Sequence, residues 1–146
     1  MKSNKDCHFC KLVDNYPNNL IIHECEDLIA FLDILPIRES HTQIVTKVHY
    51  DYFESLPKKI SHKIIDLGQR IAKVQKSIYQ VKRAGFSFTG GDIAHVHAHV
   101  LPLFEKTDIT SLRYSQNKKA EFGGAEKPSI ESLEKTTAML KSQLEI

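Results

Sequence analysis

No run of about 18 apolar residues occurs anywhere in this chain, so a membrane-spanning helix is not expected. The opening MKSNKDCHFC is charged and polar and lacks the apolar stretch of a secretory signal, which leads to the expectation of a cytoplasmic protein. Cysteine is scarce: three residues, an odd number, do not make a disulfide framework. Cys7 and Cys10 stand at a Cys-x-x-Cys spacing better suited to a metal. Charge of one sign is lacking too, since a formal net charge of +2 is too small for the gathered basic face that a nucleic-acid polymer requires. Repeats and low-complexity tracts are absent. At 146 residues the chain suffices for one domain with a proper apolar core and is too short for two comfortable ones. Histidine is what the chain has in excess, with eight residues, and their positions matter more than their number.

Two apolar runs, Leu20 to His23 and Asp27 to Asp33, flank a polar Glu24-Cys25-Glu26 and read as a strand pair. Pro36 breaks the pattern, and 41–47 (HTQIVTK) resumes it as a third strand. Ser55 is positioned to cap a helix with Pro57 in its first turn. Ile60, Ile64, Leu67, Ile71, Val74, Ile78 and Val81 step by four and three, so they form one buried stripe of a long helix. Its lysines read as a solvated face, and Gly68 costs about 1 kcal/mol relative to Ala, too little to break it. Gly85 is expected to end that helix, and Gly90-Gly91 to form a tight hairpin turn between two antiparallel strands. The polar stretch 106–128 reads as a surface loop, and Ser129 as the cap of a C-terminal helix over 129–146. The expected architecture is a single α+β domain with its core over about 5–105. It has an antiparallel sheet of about five strands, one long helix and a C-terminal helix.

His95, His97 and His99 alternate with Val96, Ala98 and Val100, and on a strand this puts the imidazoles on one face and the apolar residues on the other. His95 and His99 would then lie roughly 13 Å apart along the strand, too far to share one tetrahedral ion, so the three must divide the labour. Any one of them singly would read as an ordinary hydrogen-bonded side chain. Three in register read as chemistry, because burying three imidazoles side by side without partners is costly.

HVHAHVLP at 95–102 resembles the signature of the histidine-triad (HIT) superfamily. AFLDILP at 30–36 and HTQIVTKVHY at 41–50 resemble the family's strand ending in Asp and its later strand closed by Lys-x-His. CHFCKL at 7–12 resembles the opening of its zinc-containing bacterial members. The resemblance implies a HIT-like fold and a hydrolase or transferase acting at a nucleotide α-phosphate, on a dinucleoside polyphosphate or a nucleoside phosphoramidate, usually as a homodimer. It implies a structural zinc ion held by Cys7, Cys10, His49 and His95. His97 corresponds to the nucleophile, His99 to the phosphate contact and His41 to the fourth histidine behind the triad. Asp33 corresponds to the carboxylate that takes ribose hydroxyls, Phe9 and Phe31 to residues around the base, and Gly91 to backbone near phosphate. TGGDIA at 89–94 departs from the family in being short and in having Asp92 and no Gln; Thr46 stands for a usual Pro and Leu103 for a frequent Arg. Two other classes stay open at this stage: a hydrolase using the triad as ligands of a catalytic metal, and a nucleotide-binding protein without turnover.

Overall fold

In the computed structural model, which describes residues 4–91, 93–106, 108–109 and 126–144, all strand pairings are antiparallel. The elements run α1 (His8–Val13), a short 3-10 turn, β1 (Ile21–Glu24), β2 (Leu28–Leu32), β3 (Thr42–Thr46), a second 3-10 turn, α2 (Lys58–Tyr79), β4 (Arg83–Thr89), β5 (His97–Leu103) and α3 (Ile130–Gln143). The five strands form one sheet in the order β1-β2-β3-β5-β4, an α+β architecture as the sequence led us to expect. No helix among the described residues is long and apolar enough to cross a membrane. Of the loop expected over 106–128, residues 107 and 110–125 lie outside the described residues, as does Asp92.

β2 is buried along its whole length because both faces of the sheet are covered there. Leu28, Ala30 and Leu32 join Ile44, Ala98 and Val100 and the α2 stripe of Ile60, Ile64, Leu67, Ile71 and Val74 in the larger core. Ile29 and Phe31 face the other way, with Val45, Ile21 and the α1 residues Phe9 and Cys10. That second core is small. Beyond α1 the same face of the sheet is left open at the β3–β5 pair, and Gln43↔His99 and Val45↔His97 are in register there.

Local chemistry differs from expectation at four points. Ser55 does not cap α2: its Oγ donates to the Tyr52 carbonyl within the 3-10 turn, and Pro57 occupies the N-cap. Gly85 does not end the helix; Gln80 does so in the left-handed region at φ 52, leaving Val81 beyond the helix and Gly85 inside β4. Gly90-Gly91 is not a two-residue turn. Such a turn needs positive φ, which none of the described glycines adopts, and the connection from β4 to β5 runs instead over 90–96. The strand therefore starts at His97, and His95 lies ahead of it in a segment held by Val96 N–H to the Tyr50 carbonyl and Thr46 N–H to the Val96 carbonyl. Gly68 has a packing reason: a Cβ there would come within 2.5 Å of the Phe86 ring, so only glycine lets β4 lie this close to α2.

Candidate functional site

Cys7, Cys10, His49 and His95 converge under α1. Cys7 lies at the helix N-cap and Cys10 one turn on, His49 follows β3, and His95 precedes β5. Their ligand-type atoms all fall within 4.8 Å of one another. Cys7 Sγ is 3.3 Å and Cys10 Sγ 3.6 Å from His95 Nδ1, Cys10 Sγ is 3.4 Å from His49 Nδ1, and the two Nδ1 atoms are 3.2 Å apart. Around a tetrahedral ion with Zn–S of about 2.3 Å and Zn–N of about 2.0 Å, ligand-to-ligand edges come out at about 3.3–3.7 Å. The donor set fits such an ion chemically as well. His95 Nε2–H donates to the Thr46 carbonyl at 2.8 Å, and His49 Nε2 faces the Asp51 carboxylate at 2.9 Å. Both Nδ1 atoms are thereby left with lone pairs aimed at each other, an arrangement that only a cation between them makes favourable. His8 and Cys25 are not part of this cluster.

The open face above β3 and β5 forms a separate cavity of about 740 Å³. His41, His97 and His99 line it with Asp33, Phe9, Phe31 and Gly91, so every non-metal residue singled out from the sequence meets in one place. Phe9 and Phe31 are almost fully buried and serve as its walls; the Phe9 ring centroid lies 4.9 Å from that of His97. Asp33 Oδ1 accepts Leu35 N–H at 2.8 Å in a local turn, and Oδ2 accepts from Gln43 Nε2 at 2.7 Å. Each oxygen keeps a further lone pair for a ligand hydroxyl.

A one-way chain of hydrogen bonds fixes the histidine tautomers. It starts at a group that can only donate: Ile37 N–H reaches His41 Nδ1 at 3.2 Å, so the His41 proton is on Nε2. That proton points at His99 Nδ1, 2.9 Å away, which places the His99 proton on Nε2 and directs it at Thr89 Oγ1 at 2.8 Å. From the other end, His97 Nδ1 lies 2.6 Å from the His95 carbonyl and must donate to it. His97 Nε2 is then an acceptor, and Thr89 Oγ1, 3.2 Å away, supplies the proton. Of these three imidazoles, His97 alone keeps a ring lone pair on the cavity side. Asp33, His41 and His99 also lie close enough to suggest a cation site, but the two imidazoles spend their facing nitrogens on each other.

Burial holds His99 at a pKa of about 4, with His41 and His97 acting in the same direction, and burial lowers His41 despite the nearby Asp33 carboxylate. Below their ordinary value of 6.5 the unfolded chain binds more protons at these residues than the folded one. The contribution of both is therefore full above about 6.5 and declines as pH falls below it, that of His99 being lost toward about 4. We expect the thermal midpoint to fall between pH 7 and pH 5, and His99→Leu to flatten that dependence. An equal slope in the variant would refute this account.

Sequence reasoning missed the supporting residues. Thr89 meets His97 by cross-strand register, and Thr46, Asp51 and Gln43 act through contacts that no motif announces. Gln75 is fully buried on α2 and donates from Nε2 to the Ser40 carbonyl at 2.7 Å and the Val100 carbonyl at 3.2 Å, fastening the peptides beside His41 and His99. Its place among apolar helix neighbours was the only signal in the sequence.

A five-stranded antiparallel sheet with paired histidines over its open face and a Cys2His2 cluster at the end of its β3–β5 pair defines a histidine-triad type of protein. The HIT domain family model matches residues 15–106, and the chain belongs to that family. An uncharacterized HIT-like protein of Methanocaldococcus jannaschii is 31% identical over 109 residues, covering 68% of this chain and 80% of its own. The adenosine 5'-monophosphoramidase of Saccharomyces cerevisiae is 29% identical over 97 residues, covering 66% of this chain and 61% of its own. A zinc-bound histidine triad family protein of Mycobacterium smegmatis shares the fold with a TM-score of 0.70 at 23% identity, over 95% of this chain and 93% of its own.

Proposed function

We propose that this protein is a nucleotidyl hydrolase whose His97 attacks the α-phosphate of a nucleotide carrying a leaving group on that phosphate. The observation that carries the reading is the lone pair on His97 Nε2: His41 Nδ1 is held by a backbone N–H and His99 Nδ1 by the His41 ring, whereas His97 Nε2 meets only the rotatable Thr89 hydroxyl. The activity of the yeast relative supports it. Phe9, Phe31, Leu12, Tyr16 and Ile93 offer an apolar end for a base, and Asp33 acceptors for ribose hydroxyls. Gly91, with open space about its Cα, leaves room for phosphate beside His97.

In the first step His97 Nε2 bonds to phosphorus as the bond to the leaving group breaks. The leaving group keeps the electron pair and takes a proton from solvent. Positive charge gained by the ring is stabilised through Nδ1–H at the His95 carbonyl, while His99 Nε2–H, fixed as a donor, holds the Thr89 hydroxyl beside the reacting nitrogen. Water then bonds to phosphorus, the P–N bond breaks, its pair returns to Nε2, and the surplus proton passes to solvent. Nucleotide and protonated leaving group are the products. Enzyme denatured at alkaline pH, where the P–N bond survives, should carry one nucleotidyl group on His97, detectable by peptide mass, and an adduct at another residue would overturn the assignment.

Zinc at Cys7, Cys10, His49 and His95 would supply a cross-link between α1 and the segment ahead of β5; four protein ligands leave it no open coordination position. We place a second copy of the chain on β4, the sheet edge. Phe86 there is 41% exposed, and the Phe53 and Phe88 rings stack at 5.2 Å beside it. Solution mass should be that of a dimer, and Phe86→Lys should shift it toward the monomer; a monomeric native protein would refute the arrangement.

A further inference from the structure

Thr89 closes β4, directly opposite His97 in the register of the β4–β5 pair. Its hydroxyl sits between the two imidazoles of the open face, 2.8 Å from His99 Nε2 and 3.2 Å from His97 Nε2. A hydroxyl has one proton, and both directions are fixed by groups outside the pair. His99 must donate, because its Nδ1 is already used as an acceptor by His41. His97 must accept, because its Nδ1–H is spent on the His95 carbonyl. The Thr89 proton therefore points at the nitrogen lone pair that the proposed reaction uses.

We infer that Thr89 is a catalytic hydrogen-bond donor, whose proton leaves His97 Nε2 when that nitrogen engages phosphorus and turns to an oxygen of the phosphoryl group. The inference rests on the nucleotidyl-transfer reading above. Once Nε2 shares its pair with phosphorus it no longer accepts, and the O–H rotates about the Cβ–Oγ bond to whatever anionic oxygen lies nearest. Phosphoryl oxygens stand next to the attacked phosphorus by necessity. No proton is transferred and no bond of Thr89 is made or broken, so the hydroxyl acts through its dipole alone. The donation is made in the reacting complex and not in the free enzyme, and its loss should appear in kcat more than in KM.

The test uses the full-length, zinc-loaded protein and a purine nucleoside 5'-phosphoramidate as substrate, comparing Thr89→Val, Thr89→Ala and Thr89→Ser. Loss of one preorganised donor is expected to lower kcat by about 10²-fold in the Val and Ala variants, with KM changed by less than about threefold. The Ser variant keeps the hydroxyl and should stay within about fivefold of the native kcat, a rescue that a purely structural methyl contact would not give. Having both Val and Ala guards against one of them failing to fold, which the thermal midpoint reports. Native turnover with unchanged kcat in Val or Ala overturns the role of Thr89 and leaves the nucleotidyl-transfer reading intact. Equal losses in Ser and Ala also overturn it. Absence of turnover by the native protein on this substrate and on a dinucleoside polyphosphate overturns the reading itself, and this inference with it.

Discussion

His97→Asn is expected to lower kcat/KM on a nucleoside phosphoramidate by on the order of 10⁴-fold or more, with no nucleotidyl group found on the protein. The size follows from the loss of the atom that forms the bond. Asparagine can place a polar group near the same point, but an amide nitrogen has its pair delocalised into the carbonyl and does not attack phosphorus. Water would then have to displace the leaving group directly. The surrounding groups survive the change: His99 is held by His41 and Thr89, and Asp33 by Gln43 and Leu35, so binding of a nucleotide should be retained. Nucleotide affinity within about tenfold of native, together with lost turnover, is the expected pattern. Turnover within tenfold of native would sink the covalent reading, and retained binding with a native protein that never turns over would favour a nucleotide-binding protein without catalysis.

Cys7→Ser should release zinc and lower stability by several kcal/mol. At free zinc a thousandfold above Kd, mass action on the folded state alone contributes about 4 kcal/mol. The cluster also joins segments 88 residues apart in sequence, Cys7 and His95, beside the apolar contacts that seat α1 on the sheet. The core on that side is small, and its Phe9, Cys10 and Ile29 meet under the same helix. Without a cation, the facing Nδ1 lone pairs of His49 and His95 can be relieved only by rotating a ring away from Thr46 or Asp51 or by protonating one of them. The expected measurements are one zinc per chain by elemental analysis of native protein, less in the Ser variant, and a thermal midpoint that falls on chelation in the native protein but not in Cys7→Ser. A native protein without bound zinc and a Ser variant of equal midpoint would refute the site. Activity should fall too, since the carbonyl that orients His97 belongs to His95.

Much of this arrangement is written locally. Alternation at His97-Ala98-His99-Val100 has the strand period, and the stripe from Ile60 to Val74 has the helix period, so strand, helix and buried faces follow from side-chain spacing. Ser129 accepts Ser132 N–H as a helix cap should. Where a glycine was asked to end an element, the reading failed. Gly85 is a strand residue under Leu103 and Ile109, and Gly90-Gly91 does not adopt the positive φ of a two-residue turn; tertiary packing decided both.

By itself the sequence pointed to the five strands, the long helix and the C-terminal helix, and through the family's motifs to Cys7, Cys10, His49 and His95, which the fold brings together; it did not announce α1. Only the tertiary structure decided that β5 begins at His97, that the His95 carbonyl and the Thr89 hydroxyl hold opposite ends of one imidazole, and which ring nitrogen faces the cavity. The reason is physical. Periodicity reports the face on which a side chain lies, whereas a tautomer depends on which donors and acceptors meet it, and those come from strands that are neighbours in the sheet and distant along the chain.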